Sequence, residues 1–201
     1  MKEQIDYFRG SIFEAKSAYN AWKMIVFSCW YAYVGKDLAE KYVKVQQYHK
    51  DFFGLAERSF LFHWVILVLH CFDDRKDVFS LKKVASKNYN AFIKDTGNAK
   101  VLKNLKNVRN TLLAHRSKTI KSKEVGSVEE LDTFWKNLEN FYNTICHDFD
   151  KSKTLFNNTE NVKHDIENLF YNLERGENVR KNEIDIEWLW RKNPKRISNI
   201  L

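Results

Sequence analysis

Residues 52–72 read FFGLAERSFLFHWVILVLHCF. Leu55, Phe62, Val65, Ile66, Leu69 and Phe72 recur at helical spacing, so densely set among other apolar residues that most faces of the helix must be covered. This predicts the central helix of an all-α fold, ended by Asp73-Asp74-Arg75. One proline and six glycines in 201 residues favour long helices over sheets that need many tight turns. With 44% hydrophobic and 15% aromatic residues, the chain can bury a core without disulfides or structural metals.

Upstream, Ile12, Ala15, Ala18, Tyr19, Trp22, Ile25, Val26, Cys29 and Tyr33 mark an amphipathic helix expected over about residues 5–48. Its later part, Asp37 to Lys50, alternates charged residues with Leu38, Tyr42 and Val45, and is expected to project beyond the core. Downstream, Ser80-Leu81-Lys82-Lys83 opens a helix to about Lys94, and Asp95-Thr96-Gly97-Asn98 is the clearest turn signal. Val101, Leu102, Leu105, Val108, Leu112 and Leu113 then form an apolar stripe, with Lys100, Lys103 and Lys106 on the opposite face. A basic loop from Arg116 to Gly126 follows. Ser127-x-x-Glu130 makes a capping box before Leu131, Phe134, Leu138, Phe141, Ile145 and Phe149. The expected organisation is a four- or five-helix up-and-down bundle over 1–150 and a helical extension over 151–201, packed on the bundle or on a partner chain.

Cys29, Cys71 and Cys146 are odd in number and lie in apolar helical contexts, as expected of buried, reduced thiols in a cytoplasmic protein. The start Met1-Lys2-Glu3-Gln4 lacks the layout of a secretory signal. The apolar runs Ala21 to Gly35 and Phe60 to Phe72 are both shorter than the roughly 20 residues a bilayer-spanning helix needs, so no membrane partner is expected.

The formal net charge of +8 is unevenly placed. Between Lys76 and Lys123 stand thirteen Lys or Arg against two acids, a local +11 that leaves −3 for the rest of the chain. Such clustering is an electrostatic footprint for a polyanion, because lysine and arginine release counterions from a phosphate backbone. The alternative for charge alone is a solvated lysine-rich face.

Within this region lies Val108-Arg109-Asn110-Thr111-Leu112-Leu113-Ala114-His115. It resembles the signature of the HEPN superfamily, an Arg, usually followed by a polar residue, with four to six residues between it and a His; here there are five, the first being Asn110. The order of elements is similar to the abortive-infection U-like branch over roughly residues 10–150: a long first helix, an aromatic second helix with Arg58-Ser59 and Phe62-x-Trp64, then Asp73-Asp74 and Ser80-Leu81. The resemblance implies a ribonuclease of toxin or phage-defence type working as a homodimer, with Arg109 and His115 of both subunits in one cleft. It also implies an antitoxin or other regulatory partner. Related toxins silenced by a nucleotidyltransferase often carry a Tyr two residues after the His; Ser117 stands there in this chain.

The chemistry asks for these residue types on its own terms. Metal-independent cleavage of RNA uses the neighbouring 2′-OH as nucleophile and leaves a 2′,3′-cyclic phosphate and a 5′-OH. It needs a base titrating near neutrality, which His115 offers, and a fixed positive charge beside the phosphorane, which Arg109 offers as a guanidinium fork. Asn110 would hold the phosphate or orient His115. Residues six apart on a helix point about 120° from each other, so Arg109 and His115 converge only through arginine's reach or if the helix ends before His115. Lys100, Lys103, Lys106, Arg116 and Lys118 are the expected RNA contacts, with tRNA among the candidate targets, and Arg58 and Asp73 are the expected supports of the cleft. No cofactor or metal is expected. The rival readings are a catalytically silent bundle that binds RNA, a nucleotide or a protein, and a purely structural interaction protein.

Two weaker patterns remain. His63 and His70 share a helix face, with Asp73 and Asp74 close behind, a spacing that could bind a metal but more often serves half-buried histidines. Trp188 and Trp190 beside a basic tail could stack on bases, but more often clamp a segment onto its own core.

Overall fold

The computed structural model describes residues 1–73, 75, 77–114 and 125–182. Among the described residues the chain is all-helical. The helices are α1 (Lys2–Phe27), α2 (Tyr31–Val34), α3 (Lys36–Tyr48), α4 (Lys50–Cys71), α5 (Leu81–Val84), α6 (Ser86–Lys94), α7 (Thr96–Ala114), α8 (Val128–Asp150) and α9 (Asn161–Asn182).

Helices α1, α4, α7 and α8 surround the main core, each packed on the next around the ring. Contacts along the chain fix their directions. Glu14 meets His63 and Tyr7 meets His70, so α4 runs against α1. Lys23 of α1 meets Asp132 of α8, while Lys16 meets Glu139, so α8 runs against α1 as well. Lys100 of α7 meets Glu130, and Asn98 meets Asn137, so α7 runs against α8. The carboxyl ends of α1 and α7 therefore emerge at the same end of the bundle.

At its centre, Tyr19 lies 5.5 Å from the rings of both Trp64 and Trp135 and 6.0 Å from Trp22. The indole N–H groups of Trp22, Trp64 and Trp135 are buried there without a hydrogen-bond partner among the described residues. A second cluster joins the extension to the bundle. Phe170 of α9 stacks on Phe53 of α4 at 5.0 Å and on Tyr42 of α3 at 4.2 Å, over Met24 and Ile25 of α1.

The structure corrects several expectations. The helix expected over 5–48 is three helices, because Trp30 is extended (φ −99°, ψ 123°) and Gly35 has a φ of +83°, a left-handed value that side chains disfavour. Helix α3 does not project: Ala39, Tyr42 and Val45 are buried, and α9 packs against them. The helix expected over 80–94 breaks at Ala85 (φ −146°). The Asp95–Asn98 turn shrinks to Asp95 alone, whose side chain accepts from the Asn98 backbone N–H at 2.8 Å and starts α7 directly.

The capping box is present as read: the Ser127 hydroxyl accepts from the Glu130 N–H, and the Glu130 carboxylate accepts from the Ser127 N–H. The apolar character of α4 extends beyond the run at 60–72, so this helix of 22 residues is long and apolar enough to cross a membrane by length and composition alone. In the fold it lines the core through Phe53, Leu61, Trp64, Val65, Val68, Leu69 and Cys71.

Candidate functional site

Helix α7 buries Asn98, Val101, Leu102, Leu105 and Val108 and turns Lys100, Lys103, Lys106, Asn107 and Asn110 outward. This division follows the helical period, because residues three and four apart share a face. Lys100 is held by Glu130 at 2.5 Å. Lys103 and Lys106 are exposed and have no ion-pair partner among the described residues. They lead along the helix to Arg109, whose Nε and Nη2 donate to the Asn110 side-chain oxygen at 3.2 and 3.1 Å. One acceptor thus takes two guanidinium N–H groups and fixes the plane of the fork, while Nη1 has no acceptor among the described residues. The Asn110 amide NH₂ has no acceptor among the described residues and can be offered to an anion.

Helix α7 is described as far as Ala114, one residue before His115. His115, Arg116, Ser117 and Lys118 lie outside the described residues, as do Asp74, Trp188 and Trp190.

Arg58 is exposed and donates from Nε to its own helix, at the Gly54 carbonyl, 3.0 Å away. Asp73 lies at the other end of the bundle from Arg109. It pairs with Arg75 at 2.8 Å, which holds its carboxyl below the usual range. Its neighbour Phe72 stacks on Phe92, whose carbonyl accepts from Asn98 at the start of α7, and Arg109 stands about 16 Å further along that helix. The described structure therefore brings Arg109 and Asn110 together, leaves Asp73 at the far end of the bundle, and engages the Arg58 Nε with its own helix.

The histidines of α4 are engaged singly, His63 with Glu14 at 2.8 Å and His70 with the Tyr7 hydroxyl at 2.9 Å. Among the described residues no three His, Cys, Asp or Glu gather as a metal site. The three cysteines are free thiols: Cys71 and Cys146 are buried, Cys29 is half-buried, and burial pushes the Cys71 thiol up to about 12.

Sequence reasoning missed a charged seam. Lys16, Tyr19, Asn20 and Lys23 of α1 face Asp132, Trp135, Lys136 and Glu139 of α8, with Glu160 and Lys163 closing a polar cavity of about 230 Å³. Lys23 is 7% exposed; its ammonium donates to both Asp132 oxygens at 2.8 and 2.6 Å, and the Tyr19 hydroxyl donates to one of them at 2.8 Å. Burial, with Asp132 beside it, raises the Tyr19 pKa strongly, so the phenol stays protonated. The signal was present as two polar sets at the spacing i, i+3, i+4, i+7, hidden because both lie within apolar helices. Compared with known proteins, the chain matches no family model, no curated protein and no solved structure, so its own residues carry the functional argument.

Proposed function

We propose that this chain is a HEPN-type, metal-independent endoribonuclease of the toxin or phage-defence kind. Arg109 stabilises the phosphorane, Asn110 sets the guanidinium plane and holds the phosphate, and His115 is the base or acid. The observation that carries this reading is the outward face of α7, where Lys103 and Lys106 have no ion-pair partner among the described residues and lead to an Arg109 fork braced by Asn110. Unpaired cations in a row suit a phosphate backbone, and a braced guanidinium suits developing phosphoryl charge.

A homodimer with a shared cleft is part of the proposal. It is supported by the outward side of α4, where Phe52, Leu55 and Phe62 are 55%, 60% and 37% exposed, a stripe of apolar surface suited to a second copy.

The test is cleavage of labelled total RNA and tRNA in EDTA by wild type and by His115→Ala, with folding of both checked by circular dichroism. Cleavage by wild type alone, leaving cyclic-phosphate ends, is the expected outcome. Cleavage that requires an added metal ion, or that survives His115→Ala, refutes the mechanism. RNA binding without turnover in either protein would leave a silent binding bundle.

A further inference from the structure

The end of the bundle that carries Arg109 also carries an aromatic ledge. Asp132 and Glu130, two residues apart on α8, take Lys23 of α1 and Lys100 of α7, which sets those two lysines at nearly one level. Beyond that level α1 continues to Phe27 and Trp30, while α7 continues to Arg109. Trp30 is 53% exposed and Tyr31 57%, large values for side chains of this size.

The ledge is built. Phe27, buried in the core, meets the Trp30 ring edge-to-face at 4.6 Å, and the Trp30 backbone N–H donates to the Phe27 carbonyl. The four-residue α2 follows at once and is stopped by Gly35 in its left-handed conformation. Tyr33 turns to the charged seam, with the Lys23 ammonium 5.8 Å from its ring centre. Trp30 and Tyr31 are left as the outward faces.

We infer that Trp30 and Tyr31 form a stacking platform for unpaired bases of a single-stranded RNA whose phosphates run along Lys103, Lys106 and Arg109. This rests on the ribonuclease reading and narrows its substrate class to single strands or loops. Aromatic faces beside a cationic track are the physical requirement for sequence-tolerant single-strand binding, since every base has a face to stack. A duplex cannot use the platform, because its bases are already stacked on one another. Charge complementarity selects this occupant, because the free cations lie at the same end of the bundle as the ledge.

The experiment measures binding of a short fluorescein-labelled 2′-O-methyl oligouridine, which lacks the nucleophilic hydroxyl, and of its duplex. The full chain is compared as wild type, Trp30→Ala, Tyr31→Ala and Trp30→Phe across a salt series. Trp30→Ala and Tyr31→Ala should each weaken single-strand binding by about five- to hundred-fold, leave the salt slope and duplex binding unchanged, and keep the wild-type circular dichroism. Trp30→Phe should retain most of the affinity. Wild-type affinity in both alanine variants overturns the inference, as does equal weakening of single strand and duplex. A shift in oligomeric state with unchanged strand affinity also overturns it, since the ledge is then a protein contact. Strand binding that depends on Trp30 in a protein that does not cleave RNA sustains the platform while the ribonuclease reading falls. Cleavage unaffected by Trp30→Ala does the reverse.

Discussion

Two rows of lysines on this molecule are used in opposite ways. Along the α1–α8 seam, Lys16 and Lys23 are each matched to a carboxylate across the interface, and Lys23 is nearly buried while its partner Asp132 keeps one side in solvent. Along α7, Lys100 is matched, and Lys103 and Lys106 face solvent without an ion-pair partner among the described residues. Charge that is paired between helices fixes how those helices sit, and its loss is felt as stability. Charge left unpaired in a row does nothing for the fold and is available to a polyanion. A net charge is thus uninformative until each cation is assigned to a seam or to a free face.

The comparison breaks most visibly at Arg109. Arg109→Ala should lower RNA cleavage by about 10²–10³-fold, the usual cost of losing one group aimed at transition-state charge, with thermal unfolding unchanged. A drop in stability matching the drop in rate would move Arg109 to the structural row. At the seam the reverse is expected. Asp132→Ala strands the Lys23 ammonium and the Tyr19 hydroxyl and should cost about 2–3 kcal/mol in chemical denaturation, whereas Lys23→Met, which leaves Asp132 to water, should cost under about 1 kcal/mol. Equal costs would show that the Lys23 ammonium is not the desolvated partner of the two.

Smaller effects sharpen the picture on α7. Lys103→Gln with Lys106→Gln should reduce the slope of log affinity against log salt by about 0.7 per cation on a single strand, with stability unaltered. An unchanged slope would return both lysines to ordinary solvated surface. Smallest of all, Glu130→Gln keeps the capping box, which accepts Gln, and releases Lys100. The slope should then steepen by less than about 0.7. The same release can be made with acid. Lys100, chiefly, holds the Glu130 carboxyl below its usual range, so this ion pair is intact at neutral pH and is lost only as pH falls through that lowered value. RNA affinity measured through that range should gain from Lys100 at the acid end.

What was legible in the sequence was local and periodic. The apolar stripe of α7, the opposing lysines, the Ser127–Glu130 box and the density of apolar residues in α4 follow from spacing along one helix. What was hidden depended on which helix meets which. The breaks at Trp30 and Ala85 fall inside unbroken helical periodicity, and only Gly35 hinted at the first. Asp95 reads as part of a turn in sequence because Asp, Thr, Gly and Asn are turn residues, yet the same chemistry also caps a helix. Lys23 sits in an apolar run, where its charge looked incidental until Asp132 came across from α8. For the candidate site, the neighbourhood of Arg109 and Asn110 was readable because the two are adjacent. The separation of Asp73 from them was not, since it follows from the antiparallel order of helices.

The three buried indoles around Tyr19 give the molecule an optical signature. Their buried N–H groups have no hydrogen-bond partner among the described residues, and their rings lie 6.0 to 6.3 Å apart along the chain of contacts Trp22–Trp64–Trp135. Such indoles emit at short wavelength, exchange excitation among themselves and are shielded from iodide. Trp30, half in solvent, emits at long wavelength and is quenched. The difference spectrum between wild type and Trp30→Phe therefore isolates the ledge from the interior and from Trp188 and Trp190, and follows occupancy of the platform apart from unfolding of the core.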